Sequence, residues 1–151
     1  MITALTIFHV VLSLIAIAAG LAVLYGFLTS KSSGLTRLFL WTTVATSLTG
    51  FFFPFHGLTP GIVIGILSLI VLALAIRARN RWRITYVISA MIALYLNVFV
   101  LVVQLFEKVP ALSALAPTHS EPPFQIAQGA ILLIFTILTI RAVMKYHPKG
   151  F

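Results

Sequence analysis

A repeated length constrains this chain more than any motif. Apolar residues fill five runs, 4–29, 37–55, 60–78, 84–107 and 123–144. Each is long enough to cross a hydrocarbon layer about 30 Å thick, which takes roughly 20 helical residues. No water is present in such a layer to satisfy backbone N–H and C=O groups. Those groups must bond within the segment or around a closed barrel, and runs of this length without two-residue alternation choose the helix. The expected fold class is an all-α integral membrane protein, five transmembrane helices in one compact bundle that occupies residues 1–151 as a single domain.

Composition excludes the soluble alternative. Of 151 residues, 61% are hydrophobic and 8% charged, whereas a soluble domain carries about 25% charged residues. The absence of Cys removes disulfides, thiolate zinc sites and iron–sulfur clusters from consideration. A net charge of +8 would suggest nucleic acid in a soluble protein. Here the charges lie between the apolar runs, so lipid is the expected partner and nucleic acid is not.

The breaks between runs are chemically legible. They fall at Lys31-Ser32-Ser33-Gly34, from Pro54 to Pro60, from Arg77 to Arg83 and from Val109 to Pro123. Thr59-Pro60 and Ser120-Glu121-Pro122-Pro123 each set a hydroxyl at an N-cap position and Pro in the first turn, where its missing N–H costs no hydrogen bond. The first run contains a small-residue triplet, Ala16-Ile17-Ala18. It lacks a basic leader and exceeds a signal-peptide core in length, so a retained helix is expected.

The second run is the weakest, diluted by Thr42, Thr43, Thr46, Ser47 and Thr49, and charge is the reason to keep it. With five crossings, Lys31 and Arg37, then Arg77, Arg79, Arg81 and Arg83, then Arg141, Lys145 and Lys149 share one side, and only Lys108 opposes them. The positive-inside rule then puts the N-terminus outside and the C-terminus in the cytoplasm.

Polar residues inside the runs gather on faces. At 100° per residue, Tyr86, Ser89, Ala93, Asn97, Gln104 and Glu107 occupy an arc of about 80° on the fourth helix. Gln125, Gln128, Gly129, Thr136 and Thr139 share about 100° on the last. His9, Ser13, Ala16 and Gly20 line the first. An unpaired polar group in hydrocarbon costs several kcal/mol, so such faces are expected against protein or water. The bland alternative is interhelical glue, and for the threonines of the second run it is back-bonding to their own helix carbonyls. Gly61-x-x-x-Gly65 is expected to admit a neighbouring helix backbone, within the bundle or in a homo-oligomer.

Depth adds a second pattern. His9, His56, Gln104, Glu107, His119, Glu121, Gln125 and Gln128 all fall toward the outer side under this topology, among them both acidic residues of the chain. The cytoplasmic half holds little besides Tyr25, Tyr86 and the arginines. Were His9, His56 and His119 to meet near Glu107 or Glu121, the set would suit zinc or copper. Their spacing lacks any metal-binding signature. A bis-His haem would need a second imidazole facing His9.

The run Arg77-Ala78-Arg79-Asn80-Arg81-Trp82-Arg83 is expected to anchor the fold at anionic headgroups, with Trp82 in the interface. The chain has no nucleophile elbow, P-loop or dinucleotide fingerprint. The expected function is the binding or conduction of a small ligand, proton or ion through a polar seam open to the outside, with His9, Asn97, Gln104, Glu107, Glu121 and Gln128 as its contacts. The alternatives are an accessory or anchor subunit of a larger membrane complex and a redox protein linked to haem, metal or quinone.

The segments Ala93-Leu94-Tyr95-Leu96-Asn97-Val98-Phe99, Val102-Val103-Gln104-Leu105-Phe106 and Ser120-Glu121-Pro122-Pro123-Phe124 resemble those of a family of small bacterial multi-pass membrane proteins. The likeness extends over most of the chain. It implies a bacterial inner membrane and no particular chemistry.

Overall fold

A computed structural model describes residues 1–149. The order is α1 (Ile2–Leu28), α2 (Thr36–Gly50), α3 (Pro60–Ala78), α4 (Arg83–Lys108), α5 (Pro110–Leu115) and α6 (Pro122–Lys145), with no strand among the described residues. Four of these helices, α1, α3, α4 and α6, are long and apolar enough to cross a membrane. The chain is therefore an all-helical, multi-pass membrane protein.

The element that departs most from expectation is α2. It has 15 residues, about 22 Å at the helical rise, and stops at Gly50, where the hydropathy pattern predicts helix to 55. Phe51–Phe53 instead form a turn. Pro54 disfavours helical backbone at the residue before it, and its ring would clash with the turn above, so the helix closes early. The expected break after the fourth run also holds a surprise. Its first residues wind into α5, and Ala116 just beyond is fully buried with Val102 and Phe106 against Leu112 and Phe124.

Both explicit helix starts are present, with one shift. Thr59 caps α3, its hydroxyl accepting from Ile62 N at 3.4 Å, with Pro60 in the first turn. At α6 the N-cap position falls to Glu121 rather than Ser120.

The helices form a ring in which α1 meets α2, α2 meets α3, α3 meets α4, α4 meets α6 and α6 returns to α1, while α1 also touches α4 across it. The most enclosed helix is α4. Its Tyr86, Val87, Ala90, Met91, Ala93 and Leu94 are all buried, which places the lower part of the expected polar arc inside protein. In α6 only Gln128, Phe135 and Ala142 are buried, one residue every seven. This is a narrow coiled-coil-like stripe, not the broad polar face expected. Thr136 and Thr139 need no protein neighbour because their hydroxyls donate to Leu132 O and Phe135 O at 2.7 and 2.6 Å.

Close helix approach occurs at Gly20. A Cβ there would lie 2.5 Å from Leu94 Cδ1 and 2.9 Å from Phe39 Cε2. In the expected Gly61/Gly65 motif, Gly65 receives the Phe51 ring, 3.0 Å from its would-be Cβ, while Gly61 faces only its own Thr59 cap. An aromatic ring, rather than a helix backbone, uses that gap.

The two ends of the bundle differ in chemistry. At one end the α1–α2 connection, the α3–α4 connection and the chain beyond α6 are tied together. His147 N donates to Ser30 Oγ at 2.8 Å, and Arg83 Nη1 donates to Val143 O and Tyr146 O at 2.8 and 2.6 Å. Phe27, Tyr86 and Tyr146 pack their rings beneath, with centroids 4.8 to 6.4 Å apart. This end gathers nine of the ten basic residues and is called the basic end. The start of α1, the α2–α3 connection and the α4–α6 connection make the other, acidic end.

Candidate functional site

One threonine per turn builds the site. In α2, Thr43, Thr46 and Thr49 recur every three residues, which keeps them on adjoining faces of one helix. Thr43 donates to Phe39 O at 2.7 Å and Thr49 to Thr46 O at 3.0 Å. A hydroxyl has one proton and two lone pairs, so each of these groups can still accept.

Neighbouring helices use that capacity. Asn97 of α4 donates from Nδ2 to Thr43 Oγ1 at 3.2 Å. His9 of α1 places Nδ1 2.8 Å from Thr49 Oγ1. Since the Thr49 proton is committed to Thr46 O, the network assigns the proton of this contact to His9 Nδ1 and leaves Nε2 as an acceptor. The Phe53 ring meets the imidazole edge to face at 5.2 Å. Gly50 lies alongside, its would-be Cβ 3.6 Å from His9 Cε1.

Between these two pairs stands Thr46. Its residue is 8% exposed, and its Oγ1 is buried with no hydrogen-bond partner. Such a group is costly unless something polar meets it. His9–Thr49, Thr46 and Thr43–Asn97 thus form one polar line along α2, running inward from the acidic end. One turn below Asn97 and Thr43 the line stops at Leu94 and Phe39, which are 2% and 1% exposed and close on Gly20. The line is blind.

The expected site residues divide among several places. His9 and Asn97 belong to the line. Gln104 and Glu107 are exposed near the end of α4 and pair with each other, Nε2 to Oε2 at 3.1 Å. Glu121 folds back on its own loop, where Thr118 Oγ1 donates to it at 2.8 Å and Thr118 N and Ser120 N at 3.2 Å. The Thr118 hydroxyl, aided by these backbone N–H groups, holds its carboxyl below the usual glutamate range.

Gln128 lies on the opposite side of α4, donating to Phe99 O at 3.2 Å, with Oε1 buried and unpartnered. Phe99 is two residues from Asn97, about 200° around the helix, so the two amides do not share a seam.

The histidines do not meet either. His56 is exposed in the α2–α3 connection. His119, at φ 60°, stacks on Phe124 with centroids 5.0 Å apart. Among the described residues no three His, Asp or Glu side chains are grouped to hold a metal, and His9 is the one histidine inside a helix.

Two grooves on the bundle are apolar and separate from the polar line. One of about 200 Å³ runs between α3 and α4, bordered by Val71, Leu74, Ile84 and Ile88. The other, about 270 Å³, lies between α4 and α6, bordered by Met91, Tyr95, Phe135 and Ile140.

The sequence reading missed the part played by the threonines. Back-bonding to their own helix accounts for only half of it, since Thr43 and Thr49 also accept from Asn97 and His9. The available signal was their three-residue spacing opposite a His and an Asn. It also missed the cluster at the basic end, where Ser30, Tyr146 and His147 join Arg83 and Tyr86. Comparison with protein families, curated proteins and solved structures gives no match.

Proposed function

We propose that this protein is a membrane-embedded binding protein that receives a small, hydrogen-bonding solute from the acidic end of its bundle. In this reading α2 completes a five-crossing bundle in a bacterial inner membrane, with the N-terminus and the acidic end outside and the basic end in the cytoplasm. Support for the orientation comes from the gathering of nine basic residues at one end, which the positive-inside rule assigns to the cytoplasm.

The observation that carries the binding reading is the unpartnered Thr46 hydroxyl, set between the His9–Thr49 and Asn97–Thr43 pairs. A solute there meets a hydroxyl able to donate or accept. At the mouth it meets His9 Nε2, an acceptor. No charged side chain belongs to the line, which favours a neutral solute that carries a donor. The apolar closure at Phe39 and Leu94 favours binding over conduction, since a conducting path would continue past it.

The test is co-purification. Protein extracted in lipid nanodiscs is analysed by mass spectrometry for retained small molecules, alongside His9→Ala and Thr46→Val. A neutral hydrogen-bonding solute retained by the native chain and lost from both variants is the expected result; identical retention in all three overturns the site. Native mass in the same preparation addresses the accessory-subunit reading, for which a stoichiometric second chain is required.

A further inference from the structure

The basic end is a built surface. Arg83 is spent on the carbonyls of Val143 and Tyr146, which pins the α3–α4 turn against the end of α6. Within that turn, Arg81 N and Trp82 N both donate to Ala78 O, at 3.0 and 2.9 Å. The backbone is thereby fixed while Arg77, Arg81 and Trp82 stay exposed. The Arg83 contacts hold the segment that carries Lys145 against the same turn, and the Ser30–His147 bond ties in the connection that carries Lys31.

Among the described residues no acidic side chain stands at this end to neutralise these cations. The two acidic side chains are at the other end, Glu107 held by Gln104 and Glu121 by Thr118 and Ser120. Both tryptophans stand near the basic end and face outward, Trp82 49% and Trp41 62% exposed. Exposed Trp marks the depth of the lipid headgroups. Exposed cations at that depth, carried on the α3–α4 turn and the end of α6, suit a layer of phosphate esters better than one free anion.

We infer that the basic end binds anionic phospholipid headgroups, with Arg77, Arg81 and Lys145 around Trp82 as the contact surface. The partner is a lipid such as phosphatidylglycerol, recognised by its phosphate charge and held where Trp82 meets the acyl boundary.

Trp82 reports on this directly. In Trp41→Phe it is the sole tryptophan, and the protein is reconstituted with brominated phosphatidylglycerol or brominated phosphatidylcholine, whose bromines quench nearby indole. Stronger quenching by phosphatidylglycerol is expected, falling by about fivefold in relative association for each arginine removed in R77Q and R77Q/R81Q. High salt should weaken the preference, and R77K/R81K, which keeps the charge, should retain it.

Equal quenching by the two lipids overturns the inference, as does a preference unchanged in R77Q/R81Q. So does its abolition by inorganic phosphate at matched ionic strength, which would mark a site for the free anion instead. None of these outcomes depends on the binding line at the opposite end.

Discussion

Asn97 on α4 and Thr43 on α2 are joined by a 3.2 Å bond in which the amide donates, and Thr43 hands its own proton down to Phe39 O. The pair fastens the most enclosed helix to the shorter α2 at the floor of the polar line. Interhelical bonds of this kind contribute about 0.6 to 2 kcal/mol in membrane proteins. A double-mutant cycle of Asn97→Leu and Thr43→Val, followed by unfolding in mixed detergent micelles, should return a coupling energy in that range. A coupling indistinguishable from zero would mean that the two side chains do not act together.

The glycines give an ordered series. Gly20→Ala sets a methyl 2.5 Å from Leu94 Cδ1 and 2.9 Å from Phe39 Cε2 in a closely packed core, so a loss of about 1 to 3 kcal/mol is expected. Gly65→Ala meets only the Phe51 ring, 3.0 Å away at the start of a connection, and should cost less. Gly129→Ala meets nothing within 4 Å and should be neutral or stabilising through better helix propensity. Thermal unfolding of the three variants checks the order, and a neutral Gly20→Ala would refute the close α1–α4 approach.

How much of this was legible beforehand follows from where each signal resides. Long apolar runs write helices into a sequence because lipid leaves the backbone no other partner, and α1, α3, α4 and α6 follow the pattern closely. The end of α2 did not follow it, because hydropathy counts Phe51, Phe52 and Phe53 as span while Pro54 decides the backbone. His9 and Asn97 could be singled out as polar residues in apolar runs. Their partners could not, since Thr43 and Thr49 lie 54 and 40 residues away along the chain. Gln104 and Glu107 share the α4 arc with Asn97, but the arc leaves the bundle near its end, so angular position alone placed them in a site that the packing does not extend to.

Arg83 should behave as a structural residue despite standing in a basic run. Its guanidinium satisfies two carbonyls at the end of α6, and hydrogen bonds to charged groups contribute about 1.5 to 3 kcal/mol. Arg83→Gln should loosen the last turn of α6, seen as faster hydrogen exchange at residues 143–147, whereas Arg81→Gln, with an exposed side chain, should leave exchange there unchanged. Equal effects from the two substitutions would contradict the assigned roles.

The loop before α6 should respond to acid through Glu121. Its carboxylate accepts from the Thr118 hydroxyl and from the backbone N–H groups of Thr118 and Ser120, which favours the ionised form and lowers the folded-state value. For a carboxyl depressed on folding, the stabilisation is complete above the unfolded-state value and is lost as pH falls through the folded one. The loop should therefore hold its structure at neutral pH and loosen only below the ordinary glutamate range. Thr118→Ala removes the largest contribution, so the Glu121 titration should move up toward that range and the loosening begin at higher pH. Carbon-detected NMR of labelled Glu121 measures both effects, and a titration midpoint unmoved by Thr118→Ala would show that the hydroxyl does not hold the carboxylate.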